Sequence, residues 1–354
     1  VNGGGVVSVL KSGTNSFHGS IYGYTQNANY NANSWSNNHA NPIVAINPFS
    51  QSQFGGTFGG PILRDKLFFF VDYLGARFHQ GGLEQDSVFT QAMRNGDFSV
   101  LLSGANGNTP IQLYDSQNNF APYVNNKVPV SNPIALYLFS HPNLYPLPNA
   151  APTDDIAAKN LQGPSRSFKA NNQGDIKIEY DPRPADKITG FYSMGTGFDG
   201  KIPFLVISFP VANNYPTKLG GANWVHVFSP AIVNSARIGF TRVEWEQGVP
   251  TDPSGIFGLN GNSIVGIGGP PQTYPGYAAQ NINGNISAGG NAAFIGSIVD
   301  NTFSYIDNLT WQHGQHLLSI GVQAIRYQNA SSRTTTPASW DSSAIPATTR
   351  ATPC

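Results

Sequence analysis

The sequence predicts an all-β chain: an antiparallel, incomplete transmembrane β-barrel of about nine strands with long extracellular loops. Three observations predict it. Apolar and polar residues alternate, the period of a strand, in segments about ten residues long. These segments come in pairs joined by tight turns, and each pair is followed by a long loop or by the end of the chain. Helical periodicity is nearly absent, the best helix candidate being the short "PIALYLF" at 133–139.

A first strand is expected at 16–27. The first pair covers 52–62 and 66–78, turning near 63–65. Its core, "FGGTFGGPILRDKLFFFVDY", opposes helix formation through its glycines and proline, and it sets three phenylalanines side by side. Alternation sends Phe69, Val71 and Tyr73 to one face, toward lipid, and Phe68, Phe70 and Asp72 to the other. The second pair runs 175–181 and 187–194 around "PRPAD". The third runs 219–228 and 232–245, with Ala236, Ile238 and Phe240 against Ser235, Arg237, Gly239 and Thr241. The fourth runs 301–312 and 316–328, with Phe303, Tyr305, Leu309 and Trp311 against Thr302, Ser304, Asn308 and Thr310. A charge facing lipid near the midplane costs about 2–4 kcal/mol for Arg. Asp72 and Arg237 are therefore expected to face the lumen.

The loops between pairs are long: 81–171, and again 247–299. Soluble domains rarely carry structureless connections beyond about 12–15 residues. Outer-membrane barrels combine short periplasmic turns with long outer loops. Aromatics near strand ends, Phe68–Phe70 and Tyr73, Trp224 with Phe228, Phe240 with Trp245, and Trp311, fit a membrane-interface girdle. Composition agrees. The 354 residues carry 19 basic and 19 acidic side chains, so the chain offers no electrostatic footprint for nucleic acid. Only 11% of residues are charged, against about 25% in an ordinary soluble domain. Cys354 is the only cysteine, which excludes disulfides and thiolate metal sites within the chain.

The motifs "GGGVVSVLKSGTNSFHGSIYGY" (3–24), "QSQFGGTFGGPILRDKLFFFVDYLGAR" (51–77) and "RNGDFS" (94–99) resemble the TonB-dependent outer-membrane receptors of the Oar-like subfamily. "PLPNAAP" (146–152), "QGDIKIEYDPRPADKITGFYS" (173–193), "HVFSPAIVNSARIGFTR" (226–242) and "QHLLSIGVQ" (315–323) continue the resemblance in order. The resemblance implies three parts: the C-terminal end of a plug domain at 1–14, the N-terminal portion of the barrel at 15–328, and a truncated extracellular loop at 329–354. It implies a fragment, with the signal peptide, a carboxypeptidase-regulatory-like domain, the TonB box and most of the plug upstream, and the rest of a roughly 22-stranded barrel downstream. Its implied partners are outer-membrane lipid, the TonB-ExbB-ExbD complex through the upstream region, and an extracellular small ligand, oligosaccharide or peptide. The implied function is energised uptake across the bacterial outer membrane. Two other readings share the pattern: a passive structural or adhesive outer-membrane barrel, and a secreted soluble glycan-binding β protein.

No catalytic constellation is present, so no enzyme, no cofactor and no metal is expected. His313 and His316 flank a turn and read as polar rim residues. Asp154 and Asp155 read as a solvated acidic pair lacking the spaced oxygen ligands of a calcium loop. In "GLNGNSIVGIGGPP" (258–271), Pro-Pro follows where a phosphate-binding helix would start. Asn29, Tyr30, Trp35, Tyr123, Tyr145, Tyr274 and Tyr277, all in loops, are candidate ligand contacts through stacking and amide hydrogen bonds. The alternative for each is an ordinary solvated loop residue.

Overall fold

The computed structural model describes residues 9–103, 110–153, 157–269, 272–282, 286–290, 294–335 and 340–341. Nine strands form one antiparallel sheet whose spatial order is the chain order. They are β1 (His18–Asn27), β2 (Phe49–Leu63), β3 (Leu67–Asp86), β4 (Leu161–Arg183) and β5 (Asp186–Ile202). After these come β6 (Asn213–Ser229), β7 (Ile232–Gln247), β8 (Phe294–His313) and β9 (His316–Thr335). Among the described residues β1 and β9 do not pair with each other, so the barrel is incomplete. Turns at 64–66, 184–185, 230–231 and 314–315 lie at one end of the sheet, and the long connections lie at the other. Two of these turns use left-handed backbone, at Asp65 (φ 61°) and Gly314 (φ 61°). The expected helix is present at Pro133–Ser140, capped by the Asn132 side chain.

The strands outrun the sequence pattern on the long-loop side. β3 has 20 residues and β4 has 23, against the ten or so that alternation marks. Residues 79–86 and 161–171 are rich in Gly, Ser and Gln and carry no apolar alternation, yet they pair continuously, Gln80 with Ser167 and Asp86 with Leu161. The connection between β3 and β4 is thus 87–160. At the far end β9 runs to Thr335, so 329–335 is strand.

Register separates two faces. Phe58 opposes Val71, Val71 opposes Ile176, and Ile176 opposes Tyr192. Further round, Gly220 lies between Tyr192 and Phe240, and Phe240 opposes Phe303. Residues directly opposite share a face, so this row is one side of the wall, and it is apolar. The adjacent row holds Ser20, Thr57, Asp72, Asp175 and Ser193. On β3, β6 and β7 the apolar face runs for five alternate positions from the tight turn before a basic residue replaces it, which is close to the span of a membrane strand. Polar groups within that band are partnered. Asp186 accepts from Trp224 Nε1 at 2.9 Å, lies 2.6 Å from His226 Nδ1 and pairs with Arg183, while Asn234 Nδ2 donates to Asp307 at 2.8 Å. Trp224, Phe228 and Trp311 sit on the apolar face near the tight-turn rim, as a girdle requires. Trp245 falls on the same polar face as Arg237 and Thr241, because alternation along β7 separates it from Phe240.

The main buried core lies outside the wall. Val88, Leu138, Tyr145, Leu205, Ile207, Phe257 and Tyr277 belong to one cluster drawn from the connections at 87–160, 203–212 and 248–293. Backbone bonds stitch these loops together: Ser287 N to Ser87 O at 2.6 Å, Gly290 N to Ile207 O at 3.0 Å and Thr251 N to Pro210 O at 3.0 Å. The long loops therefore form a packed cap.

Candidate functional site

The polar face of the wall and the cap above it are the two places where chemistry-bearing side chains gather. On the wall, Lys177 is the centre. Its Nζ donates to Ser12 Oγ at 2.8 Å and to the Leu10 carbonyl at 3.4 Å, and it pairs with Glu179 at 3.1 Å. Lys187 reaches the same carboxylate at 4.0 Å. Glu179 and Asp175 are buried, an unusual state for carboxylates that requires partners; Asp175 accepts from Gln173 at 3.0 Å. The segment before β1 thus lies against the polar face. A β-carbon at Gly13 would collide with the carbonyl oxygens of Phe69 and Gly60, so this close approach needs glycine. Asn15 then fixes the β2–β3 turn: its amide donates to Asp65 at 2.5 Å, and its oxygen accepts the Asp65 N–H at 2.9 Å.

Asp72 and Arg237 are both on this polar face. Asp72 stands between Thr57 and Asp175, opposite in phase to Val71 and Tyr73. Arg237 stands beside Asn223, to which its Nε donates at 3.3 Å, opposite in phase to Ile238 and Phe240.

In the cap, two expected ligand contacts are corrected. Tyr145 and Tyr277 are both fully buried. Their rings fill the cap core and leave no face for a ligand. Tyr145 Oη donates to the Ser287 carbonyl at 2.8 Å and accepts the Phe89 N–H at 3.2 Å, while Tyr277 Oη donates to the Ala288 carbonyl at 2.6 Å. Burial raises the pKa of both phenols above its ordinary value. Tyr123 and Tyr274 are half-buried. Tyr30 and Trp35 remain exposed in the β1–β2 connection, where Trp35 stacks on His39 at 4.0 Å. The structure does not bring these four together with Tyr145 and Tyr277 into one pocket. Asp154 and Asp155 lie outside the described residues. Among the described residues no group of three or more His, Cys, Asp or Glu could hold a metal ion.

Sequence reasoning passed over Arg94. It is buried, has no carboxylate within 4.0 Å among the described residues, and donates to three carbonyls: Phe89 at 3.1 Å, Tyr145 at 3.1 Å and Pro146 at 2.5 Å. Its guanidinium lies 4.8 Å from the Tyr145 ring centroid and 5.4 Å from that of Phe139. Burial lowers its pKa, while the Tyr145 phenol opposes the shift. Arg94 opens "RNGDFS" and clamps the start of "PLPNAAP", so the two motifs meet in space. Its place at the head of the first motif was the one signal for it.

Comparison with known proteins agrees with this geometry. The family described as an outer membrane beta barrel domain matches residues 9–351. The chain belongs to that family. No curated protein matches the chain. Membership of the outer-membrane barrel family accounts for the two-faced wall and the one-sided arrangement of long loops, and it places the chain in the outer membrane.

Proposed function

We propose that this chain supplies part of the wall and the outer cap of a TonB-dependent receptor of the Oar-like kind. The apolar face meets lipid, and the polar face lines a lumen occupied by a plug. An extracellular small ligand, oligosaccharide or peptide passes inward when the TonB complex pulls on that plug. The observation that carries this reading is the course of residues 9–15. They run along the polar face, held by Lys177 and by the close packing of Gly13, and join β1 at the tight-turn end. A plug tethered from inside needs this entry, whereas a passive barrel has no requirement for it. Passage breaks no bond, so the reading assigns no catalytic residue and no cofactor.

The test is binding of the periplasmic domain of TonB to the purified full-length protein in detergent. The receptor reading expects saturable binding that is lost when the region preceding residue 9 is removed. Binding no better than to an unrelated porin overturns it in favour of a passive barrel.

A further inference from the structure

The apolar band ends abruptly on the long-loop side, and basic residues replace it. Along the outward positions Gly75 is followed by Arg77, Gly220 by Lys218, Phe240 by Arg242 and Ala324 by Arg326. Lys218 stands directly opposite Arg242. Like charges facing each other across a strand pair are destabilising, so this pairing calls for an anion between them.

Protein groups answer only part of that demand. Arg242 donates to Glu244 at 2.9 Å and to Asn301 at 3.4 Å. Arg77 donates to the carbonyls of Ala76 (2.9 Å) and Asn171 (3.0 Å) and to Asn172 Oδ1 (2.9 Å), and lies 5.6 Å from the Phe54 ring centroid. Lys218 and Arg326 are exposed, and among the described residues neither has an acidic side chain within 4.0 Å. Glu244 and Glu246 are the acids on this part of the outward face.

We propose that Lys218, Arg242 and Arg326 bind the phosphate groups of membrane lipids in the outer leaflet. This rests on the reading that the apolar face meets lipid. Continuity favours lipid as the source: the cations stand at the edge of an apolar band on which acyl chains can lie. A lipid with its chains on Ile238 and Phe240 carries its phosphate to the level of Arg242. Long basic side chains reach such headgroups while their stems cover apolar surface. A phosphate oxygen between Lys218 and Arg242 also removes their mutual repulsion through charge-assisted hydrogen bonds.

The test uses the full chain extracted from outer membranes in detergent, with retained lipid read by native mass spectrometry. Wild type is expected to retain phosphorylated lipid. Lys218→Gln with Arg326→Gln is expected to lower retention about tenfold, and adding Arg242→Gln to lower it further. Both exposed positions lack acidic partners, so the double variant is expected to fold. Arg237→Gln, on the polar face, is expected to retain lipid as wild type does. Reconstitution separates the two readings. Insertion into vesicles of a neutral galactolipid that carries no phosphate, with no gain when a phospholipid is added, overturns the phosphate site and leaves the lipid-facing reading standing. Failure to insert into either vesicle overturns both. Displacement of retained lipid by millimolar inorganic phosphate assigns the site to a soluble anion and overturns the lipid source.

Discussion

Ile21 in the wall is 94% exposed, and Ile207 in the cap is 0% exposed. The same side chain is stable in two places for two reasons. In the wall, apolar residues point outward at every second position, and on the proposed reading lipid covers them. In the cap, apolar residues from three connections point at one another and exclude water by themselves. The wall's stability therefore depends on the membrane, while the cap's depends on its own packing. Substitutions sort accordingly.

The largest expected effect tests the cap. Phe257 is fully buried and meets Tyr137, Phe209 and Tyr277 at centroid distances of 6.2, 5.5 and 5.2 Å. Phe257→Ala is expected to cost the cap about 3–5 kcal/mol. Limited proteolysis should then cut within 87–160 while heat-modifiable gel migration, a property of the wall, stays unchanged. Loss of both together would show that wall and cap unfold as one unit.

The next effect tests the wall. Ile238→Arg places a cation on the apolar face and is expected to cost about 2–4 kcal/mol in a bilayer. Thr241→Arg, on the polar face of the same strand, is expected to cost less than about 1 kcal/mol, as surface substitutions usually do. Reversible urea unfolding in vesicles measures both. Equal costs would mean that the two faces do not differ in what they meet.

These two regions also divide what the sequence made legible. The wall could be read because its period of two is local: Ile176, Ile178 and Tyr180 alternate with Asp175, Lys177 and Glu179 whatever lies elsewhere. The upper strand segments could not, since Gly81 and Gly82 carry no side chain and Ser167 a small polar one, which leaves no apolar alternation. The cap was read as solvated loop for a related reason. Val88, Tyr145, Ile207 and Tyr277 meet from distant positions at no regular spacing, amid Pro, Asn and Gly that also suit open loops. Asp72 and Arg237 could be phased from their immediate neighbours. Tyr145 and Tyr277 could not, because burial in the cap is decided by contacts across more than one loop.

A third, smaller effect concerns polar groups inside the cap. Asn160 is fully buried and holds Val88 from both sides, accepting its N–H at 2.8 Å and donating to its carbonyl at 2.8 Å. Asn160→Ala leaves two buried backbone groups unpaired, expected to cost about 1–3 kcal/mol in all. Asn160→Asp keeps the acceptor but sets a buried, unpaired carboxylate against the Val88 carbonyl, and is expected to protect no better than Asn160→Ala at neutral pH in a protease-protection assay. Matching protection in all three proteins would mean that water replaces the amide freely.

The smallest effect is a pH dependence where wall and cap join. Asp86 ends β3 above the apolar band, and among the described residues its buried Oδ2 has no hydrogen-bond partner. Burial raises its pKa, and the Glu84 charge raises it further, while Lys201 and Ser287 pull it down. Glu84 is itself engaged, pairing with Lys201 at 2.5 Å and accepting the Phe204 N–H at 2.6 Å. A carboxyl whose folded pKa exceeds its unfolded value of about 4 favours the folded cap below that value. This contribution is lost as pH rises through the raised folded value. Asp86→Asn carries no charge at any pH, so it should leave cap protection unchanged below about pH 4 and increase it at about pH 7–8. Proteolysis of the cap across that range reads the difference. A wild-type cap as well protected at neutral pH as the Asn variant would mean that Asp86 gains a partner when ionised, placing the junction under the control of Lys201.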